Sequence, residues 1–180
     1  MSVYHDVTMA GFGGQGVMLI GNLLAYAGMH AGLNVTYLPV YGPEMRGGTA
    51  NCTVVLSSQD IGTPIIQRPM NTILMNQPSL EKFQPALKDG GLQVINSSLI
   101  DVSLADPRVR TIAVAANDIS EATAGSAKMA NMVAFGAYIK ATGILGMDAV
   151  IASLPSVIAA HYHHLIAKNV EALQAGYNAA

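Results

Sequence analysis

Val7-Thr8-Met9-Ala10-Gly11-Phe12-Gly13-Gly14-Gln15-Gly16-Val17 is the stretch on which the fold turns. Val7 to Ala10 is a short apolar run of the kind that forms a buried strand, and it leads directly into glycines. Residues 17–31 are apolar on nearly every face, long enough for four helical turns, and followed by Gly32 as a C-terminal cap. A helix apolar all round needs cover on both sides. Asn34 to Leu38 reads as a second strand, so strand, glycine turn, helix and strand fit into the about 32 residues of one βαβ unit.

Further strands are expected at Asn51–Leu56, Thr72–Met75, Leu92–Ile95 and Val109–Ala115, with a short helix from Ser79 to about Leu87. From Asp118 onward the spacing is helical: Met129–Ala141, a short piece after Gly146, and one helix from Pro155, placed in its first turn, to about Ala175. Alternating elements followed by helices predict an α/β chain, a three-layer Rossmann-like domain with a mostly parallel sheet. No repeat or linker divides residues 1–180, so a single domain is expected.

Composition excludes several classes of function. Charged residues make up 11% of the chain against roughly 25% in an ordinary soluble domain, hydrophobic residues 51%, and mean hydropathy is +0.38. Residues 7–59 carry only Glu44 and Arg46 as charges. Such a chain folds, and it is short of charge for a free-standing monomer. A net charge of −2 without any Lys/Arg run argues against a nucleic-acid partner. No apolar stretch reaches the roughly 18 residues of a membrane span. Met-Ser-Val-Tyr-His-Asp lacks the pattern of a secretion signal, so a cytoplasmic location is expected. Cys52, the sole cysteine, permits no internal disulfide and cannot alone hold zinc or an iron–sulfur cluster; inside a predicted strand it reads as a small buried hydrophobe.

Gly11, Gly13 and Gly16 match the dinucleotide fingerprint after a strand and before a helix. Glycines let a phosphate approach the backbone while the helix N-terminus presents free N–H groups. The acidic residue that binds a ribose about 20 positions later is missing, since Val35 to Val40 contains no Asp, Glu or Arg. Three readings therefore stand: a phosphate-bearing ligand, a turn kept for helix packing alone, and intact NAD(P) binding. The segment Tyr41-Gly42-Pro43-Glu44-Met45-Arg46-Gly47-Gly48 follows the second strand, where α/β ligand sites form. Glu44 and Arg46 are there either a solvated ion pair or a contact to a ligand or neighbouring subunit. His161, His163 and His164 have no Cys, Asp or Glu within four positions and read as a solvated or interface cluster.

Together, the glycine turn, the Tyr41–Gly48 segment and Asn131-Met132-Val133-Ala134-Phe135-Gly136 resemble the gamma subunit of the 2-oxoacid:ferredoxin oxidoreductases, nearest to the 2-oxoglutarate enzymes known as 2-oxoglutarate synthases. An Asn-x-x-Ala-x-x-x-Gly tail at Asn169–Gly176 extends the resemblance over nearly all of the chain. Pyruvate, branched-chain oxoacid and indolepyruvate members share these motifs. The resemblance implies a pyruvate/ketoisovalerate oxidoreductase gamma-type domain in a complex that converts a 2-oxoacid and coenzyme A to acyl-CoA and carbon dioxide and reduces ferredoxin. It implies that thiamine diphosphate, magnesium and iron–sulfur clusters belong to partner alpha, beta and delta (ferredoxin-like) subunits, and that this chain carries no catalytic residue of its own. The resemblance implies a gamma domain that packs beside the thiamine site and helps admit coenzyme A; Gly11, Gly13, Gly14, Gln15 and Gly16 are accordingly expected to face coenzyme A or its phosphates, and Tyr41, Glu44, Arg46 and Gly47 to form an interface or ligand-facing loop. The charge-poor helices after Asp118 are expected to make subunit contacts, and self-association of the isolated chain as a homodimer is left open. The alternatives are a stand-alone NAD(P)- or flavin-dependent oxidoreductase and a purely structural scaffold.

Overall fold

Strand β1 (Tyr4–Phe12) is buried without interruption from Asp6 to Gly11, the signature of a central strand covered on both faces. The computed structural model describes residues 2–40 and 49–180. After β1 come α1 (Val17–His30), β2 (Asn34–Val40), β3 (Thr49–Ser57), β4 (Asn71–Leu74), α2 (Gln77–Phe83), β5 (Leu92–Asn96) and β6 (Arg110–Val114). Four helices follow: α3 (Ala116–Ala124), α4 (Ala130–Thr142), α5 (Met147–Val157) and α6 (Ile166–Ala179). The strands form one six-stranded sheet in the order β2-β3-β1-β4-β5-β6. The pairs β1–β4, β4–β5 and β5–β6 are parallel, and β3 runs antiparallel to both of its neighbours.

The mostly parallel α/β architecture agrees with the sequence reading; the simple βαβ unit does not. β1 and β2 are parallel but not adjacent, because β3 is wedged between them and pairs Met9 and Pro39 alike with Cys52. β2 is thus an edge strand, where Pro39 is tolerated. Cys52 is buried beneath α1, and that burial pushes its thiol up to about 12.

Helices α1 and α4 cover one sheet face, where Val7, Met9, Val54, Ile73 and Val94 meet Ile20, Leu23, Met132 and Phe135. On the opposite face Ala10, Leu74 and Ile95 pack against Leu80 of α2. A second tier lies outside the first, α5 against α1 and α6 against α4. Both inner helices are therefore covered on two sides, which is why their sequences show no polar stripe. Ala130 to Ile139 of α4 is buried throughout, so this stretch spends its apolar surface inside the chain.

The crossing of α4 and α6 explains two of the motifs. A Cβ on Gly136 would lie 2.0 Å from Leu173 O, and one on Gly176 1.9 Å from Val133 O. Only glycine lets the two backbones meet so closely.

Two helical regions differ from expectation. Pro155 lies in the last turn of α5 rather than the first turn of a helix reaching Ala175. Without an N–H it cannot continue the ladder; Ile158 turns extended, and a 3₁₀ segment, Ala160–Leu165, precedes α6. Helix α3 escapes apolar periodicity because it buries only Ala116, Ser120 and Ala124. Gly32 follows α1 with φ +78° as the expected cap. Among the described residues no helix is long and apolar enough to cross a membrane.

At the N-terminal end of β1, Tyr138 Oη of α4 and His5 Nε2 share a hydrogen bond. Asn71 Nδ2 donates to Asp6 O at 2.7 Å beside them. Burial holds the His5 imidazole below its ordinary value, against a smaller opposing pull from Asp6, and raises the Tyr138 hydroxyl well above its own.

Candidate functional site

The opposite end of β1 carries the glycine turn. Gln15 N donates to Phe12 O at 3.1 Å and closes it tightly. Gly16 ends it as the N-cap of α1, with φ +71° and no side-chain cap, so the first N–H groups of the helix are not taken up by a capping side chain. Gly14 has φ +94°, and a Cβ built there meets nothing within 4 Å among the described residues. Gly13 and Gly14 are exposed, Gly16 is half-buried and Gly11 is buried.

Two amides clamp this turn from its flanks. Gln15 Oε1 accepts from Phe12 N and from Asn76 Nδ2, each at 2.7 Å, while Gln15 Nε2 donates to Met75 O at 3.3 Å. On the other flank Asn131 Nδ2 donates to Gly16 O at 3.2 Å. The Gln15 side chain therefore points into the protein rather than toward a ligand. What remains outward is the backbone at Gly13 and Gly14.

The chain leaves β1 for one sheet face and β4 for the other, which makes the crevice between their carboxyl ends the switch point where α/β folds take dinucleotides. Gln15 and Asn76 fill that crevice. The amide run continues as Asn96 Nδ2 donates to Asn117 Oδ1 at 2.8 Å and to Met75 O at 3.3 Å.

Open space lies instead beside the turn, in a cavity of about 610 Å³. Its walls are apolar at Leu19, Val157, Ile158 and Leu165. Gly14 and Gly16 border it, as do Lys128, Tyr162 and Lys168. Asn131 and Asn169 complete it, the latter held by donation from its Nδ2 to Leu165 O at 2.8 Å. Sequence reasoning missed both lysines and Tyr162. The available signal was proximity, since Lys168 directly precedes the Asn169 motif and Lys128 stands just ahead of Asn131.

Of the other expected site residues, Tyr41, Glu44, Arg46 and Gly47 lie outside the described residues. His161, His163 and His164 sit exposed on the 3₁₀ segment rather than on a helix. His163 Nε2 donates to Ile158 O at 2.8 Å and His164 Nδ1 to His161 O at 3.0 Å. Among the described residues no three metal-binding side chains converge.

Residues 6–179 match the family of pyruvate ferredoxin/flavodoxin oxidoreductases. The ketoisovalerate oxidoreductase subunit VorA of Methanothermobacter thermautotrophicus is 39% identical over 142 residues, covering 79% of this chain and 29% of that one. The chain thus spans less than a third of that relative. The 2-oxoglutarate synthase subunit KorC of the same organism is 31% identical over 182 residues, covering 98% of this chain and 95% of that one. Among solved structures, the keto/oxoacid ferredoxin oxidoreductase gamma subunit of Geobacter sulfurreducens superposes with a TM-score of 0.83 at 26% identity, covering 97% of both chains. The 2-oxoglutarate:ferredoxin oxidoreductase of Magnetococcus marinus, solved with 2-oxoglutarate, coenzyme A and succinyl-CoA bound, shares the fold over 99% of this chain and 31% of that one, with a TM-score of 0.83 at 22% identity.

Proposed function

We infer the function from one premise: the chain belongs to the pyruvate ferredoxin/flavodoxin oxidoreductase family. Our reading is a single-domain gamma-type subunit of a cytoplasmic 2-oxoacid:ferredoxin oxidoreductase, an assembly that converts a 2-oxoacid and coenzyme A to acyl-CoA and carbon dioxide and passes electrons to ferredoxin. The near full-length match to KorC supports 2-oxoglutarate as the substrate. The higher identity to VorA favours a branched-chain 2-oxoacid as the second reading, and an assay of the assembled complex with both acids decides between them.

The described residues do not fit an iron–sulfur cluster or a magnesium site. Cys52 is buried and is the sole cysteine, and no three metal-binding side chains converge among the described residues. We therefore assign thiamine diphosphate, magnesium and the clusters to alpha, beta and delta partners, where thiamine diphosphate supplies the decarboxylation chemistry. The stand-alone nicotinamide or flavin alternative is disfavoured because Gln15 and Asn76 occupy the crevice a dinucleotide needs.

This chain's part is to hold coenzyme A. The observation that carries the reading is Gly14, whose left-handed backbone sits at an uncapped helix N-terminus with its side-chain space unfilled by any described residue. Backbone N–H groups from Gly13 to Gly16 meet the diphosphate, aided by the positive end of the α1 dipole. Gly11 and Gln15 support them from within. Glu44 and Arg46, with Tyr41 and Gly47, are proposed to border the same ligand or the neighbouring subunit. Replacing Gly14 by Leu in the assembled complex is expected to raise the KM for coenzyme A about ten-fold, the scale of one lost charge-assisted contact, while the KM for the 2-oxoacid stays put. Intact assembly with an unmoved coenzyme A constant would sink the reading.

A further inference from the structure

We propose that the cavity beside the glycine turn is a distinct anion subsite in which Lys128 and Lys168 read the 3′-phosphate on the adenosine end of coenzyme A. The inference rests on the reading that the turn holds the diphosphate of the same molecule, and it adds the residues that tell this nucleotide from its 3′-dephosphorylated form.

Charge points there first. The chain has only nine Lys and Arg residues, and two of them border this one cavity. Among the described residues no carboxylate lines it. Among the described residues the close ion pairs belong to Arg108, with Asp89 and Asp106, and neither cavity lysine has such a partner. Two lysines that border one hollow, with no ion-pair partner among the described residues, favour a dianionic group. A phosphomonoester carries about −1.5 to −2 charges near neutral pH. Each phosphate of a diphosphate bridge carries less, and the turn already offers it backbone N–H groups.

Placement and shape agree with the charge. Lys128 stands on a short 3₁₀ turn, Ala127–Met129, whose start is fixed by Ser126: Lys128 N donates to Ser126 Oγ at 3.3 Å, and Ser120 Oγ donates to Ser126 O at 2.5 Å. Lys168 leaves the first turn of α6, directly before the buried Asn169. A volume of about 610 Å³ lies within the roughly 300–1,000 Å³ typical of small-molecule sites, so a nucleoside fits. The apolar walls at Leu19, Ile158 and Leu165 and the half-exposed Tyr162 ring suit a purine face. Because Gly14 and Gly16 border the cavity, a ligand with its diphosphate on the turn reaches the hollow with the nucleoside that follows.

The test compares coenzyme A with 3′-dephospho-coenzyme A in the assembled complex, for the wild type, Lys128→Ala, Lys168→Ala, the double variant and Lys168→Arg. The wild type is expected to show a KM about ten-fold lower for coenzyme A than for the dephospho form, the scale of charge-assisted hydrogen bonding at a partly exposed site. Each alanine variant raises the coenzyme A constant several-fold and leaves the dephospho and 2-oxoacid constants unchanged; the double variant abolishes the preference, and Lys168→Arg keeps most of it. Added salt raises the coenzyme A constant in the wild type more than in the double variant. Equal constants for the two nucleotides in the wild type, or lysine variants that shift both alike, overturn the subsite. If Gly14→Leu raises both constants while the lysine variants change nothing, the subsite falls and the turn reading stands; if none of these variants moves either constant, both fall.

Discussion

Among the described residues, a methyl group added to Gly14 meets nothing within 4 Å, whereas one added to Gly176 lies 1.9 Å from Val133 O. The same residue type thus serves opposite ends in one chain. At the crossing of α4 and α6, glycine brings two backbones of the protein together and the space is used up. At the turn, glycine takes a left-handed backbone and no described residue fills the space, beside an uncapped helix and a cavity bordered by two lysines that have no ion-pair partner among the described residues. Gly16 sits between the extremes, with a positive φ and a Cβ position 2.4 Å from Asn131 Nδ2. A glycine motif becomes evidence for a ligand only when the volume its side chain would fill is not taken by the protein itself.

The crossing offers the harshest test of that contrast. In an ordinary helix Gly→Ala gains up to about 1 kcal/mol. Here Gly136→Ala and Gly176→Ala are each expected to cost about 3 kcal/mol or more, because the helices must part over a clash with backbone. Urea denaturation of the purified chain measures this, and a neutral result would show that the crossing is loose.

A finer comparison lies within the turn. Gly14→Ala and Gly16→Ala both bear the left-handed penalty of about 1–2 kcal/mol. Gly16→Ala also displaces the Asn131 amide, so it should cost about 1 kcal/mol more than Gly14→Ala in the same experiment. Equal losses would mean that Asn131 swings away freely and does not clamp the turn.

The smallest effect concerns protons. The buried region around α4 contains His5 against Tyr138, while Gly11 to Gly16 contains no titratable side chain. With His5 held below its ordinary value, the unfolded chain takes up the proton first as pH falls. The stability of the pair is complete above the unfolded value of about 6.5 and declines below it, until the folded imidazole also titrates. Urea midpoints at several pH values should therefore fall on acidification in the wild type and less so in His5→Gln. An identical slope in both would remove His5 as the cause. Tyr138→Phe, which removes the hydroxyl from His5 Nε2 and leaves it only Asn71 Nδ2 at 3.5 Å, is expected to cost about 1 kcal/mol at neutral pH.

Much of this was legible in the residues alone. The run from Val7 into Gly16, the helix after it, the Gly32 cap and the four-residue heart of most strands are decided by groups a few positions apart, through dihedral preference and local burial. The resemblance carried by the glycine turn and the two Asn…Gly helices pointed to the right family for the same reason, since each motif is contiguous. Long-range placement was not legible. No local signal inserts β3 between β1 and β2, splits the chain after Pro155 into α5 and a 3₁₀ segment, or turns Gln15 inward to Asn76. Asn131 finds Gly16 across 115 positions and His5 finds Tyr138 across 133. Lys128 and Lys168 became a pair only when α6 folded over α4 on two facing glycines. The sequence alone determined where the backbone could turn and which segments had to be buried. Tertiary structure alone decided which glycines were spent on packing and which stayed open, because the burial that separates them is a property of surfaces brought together from distant parts of the chain.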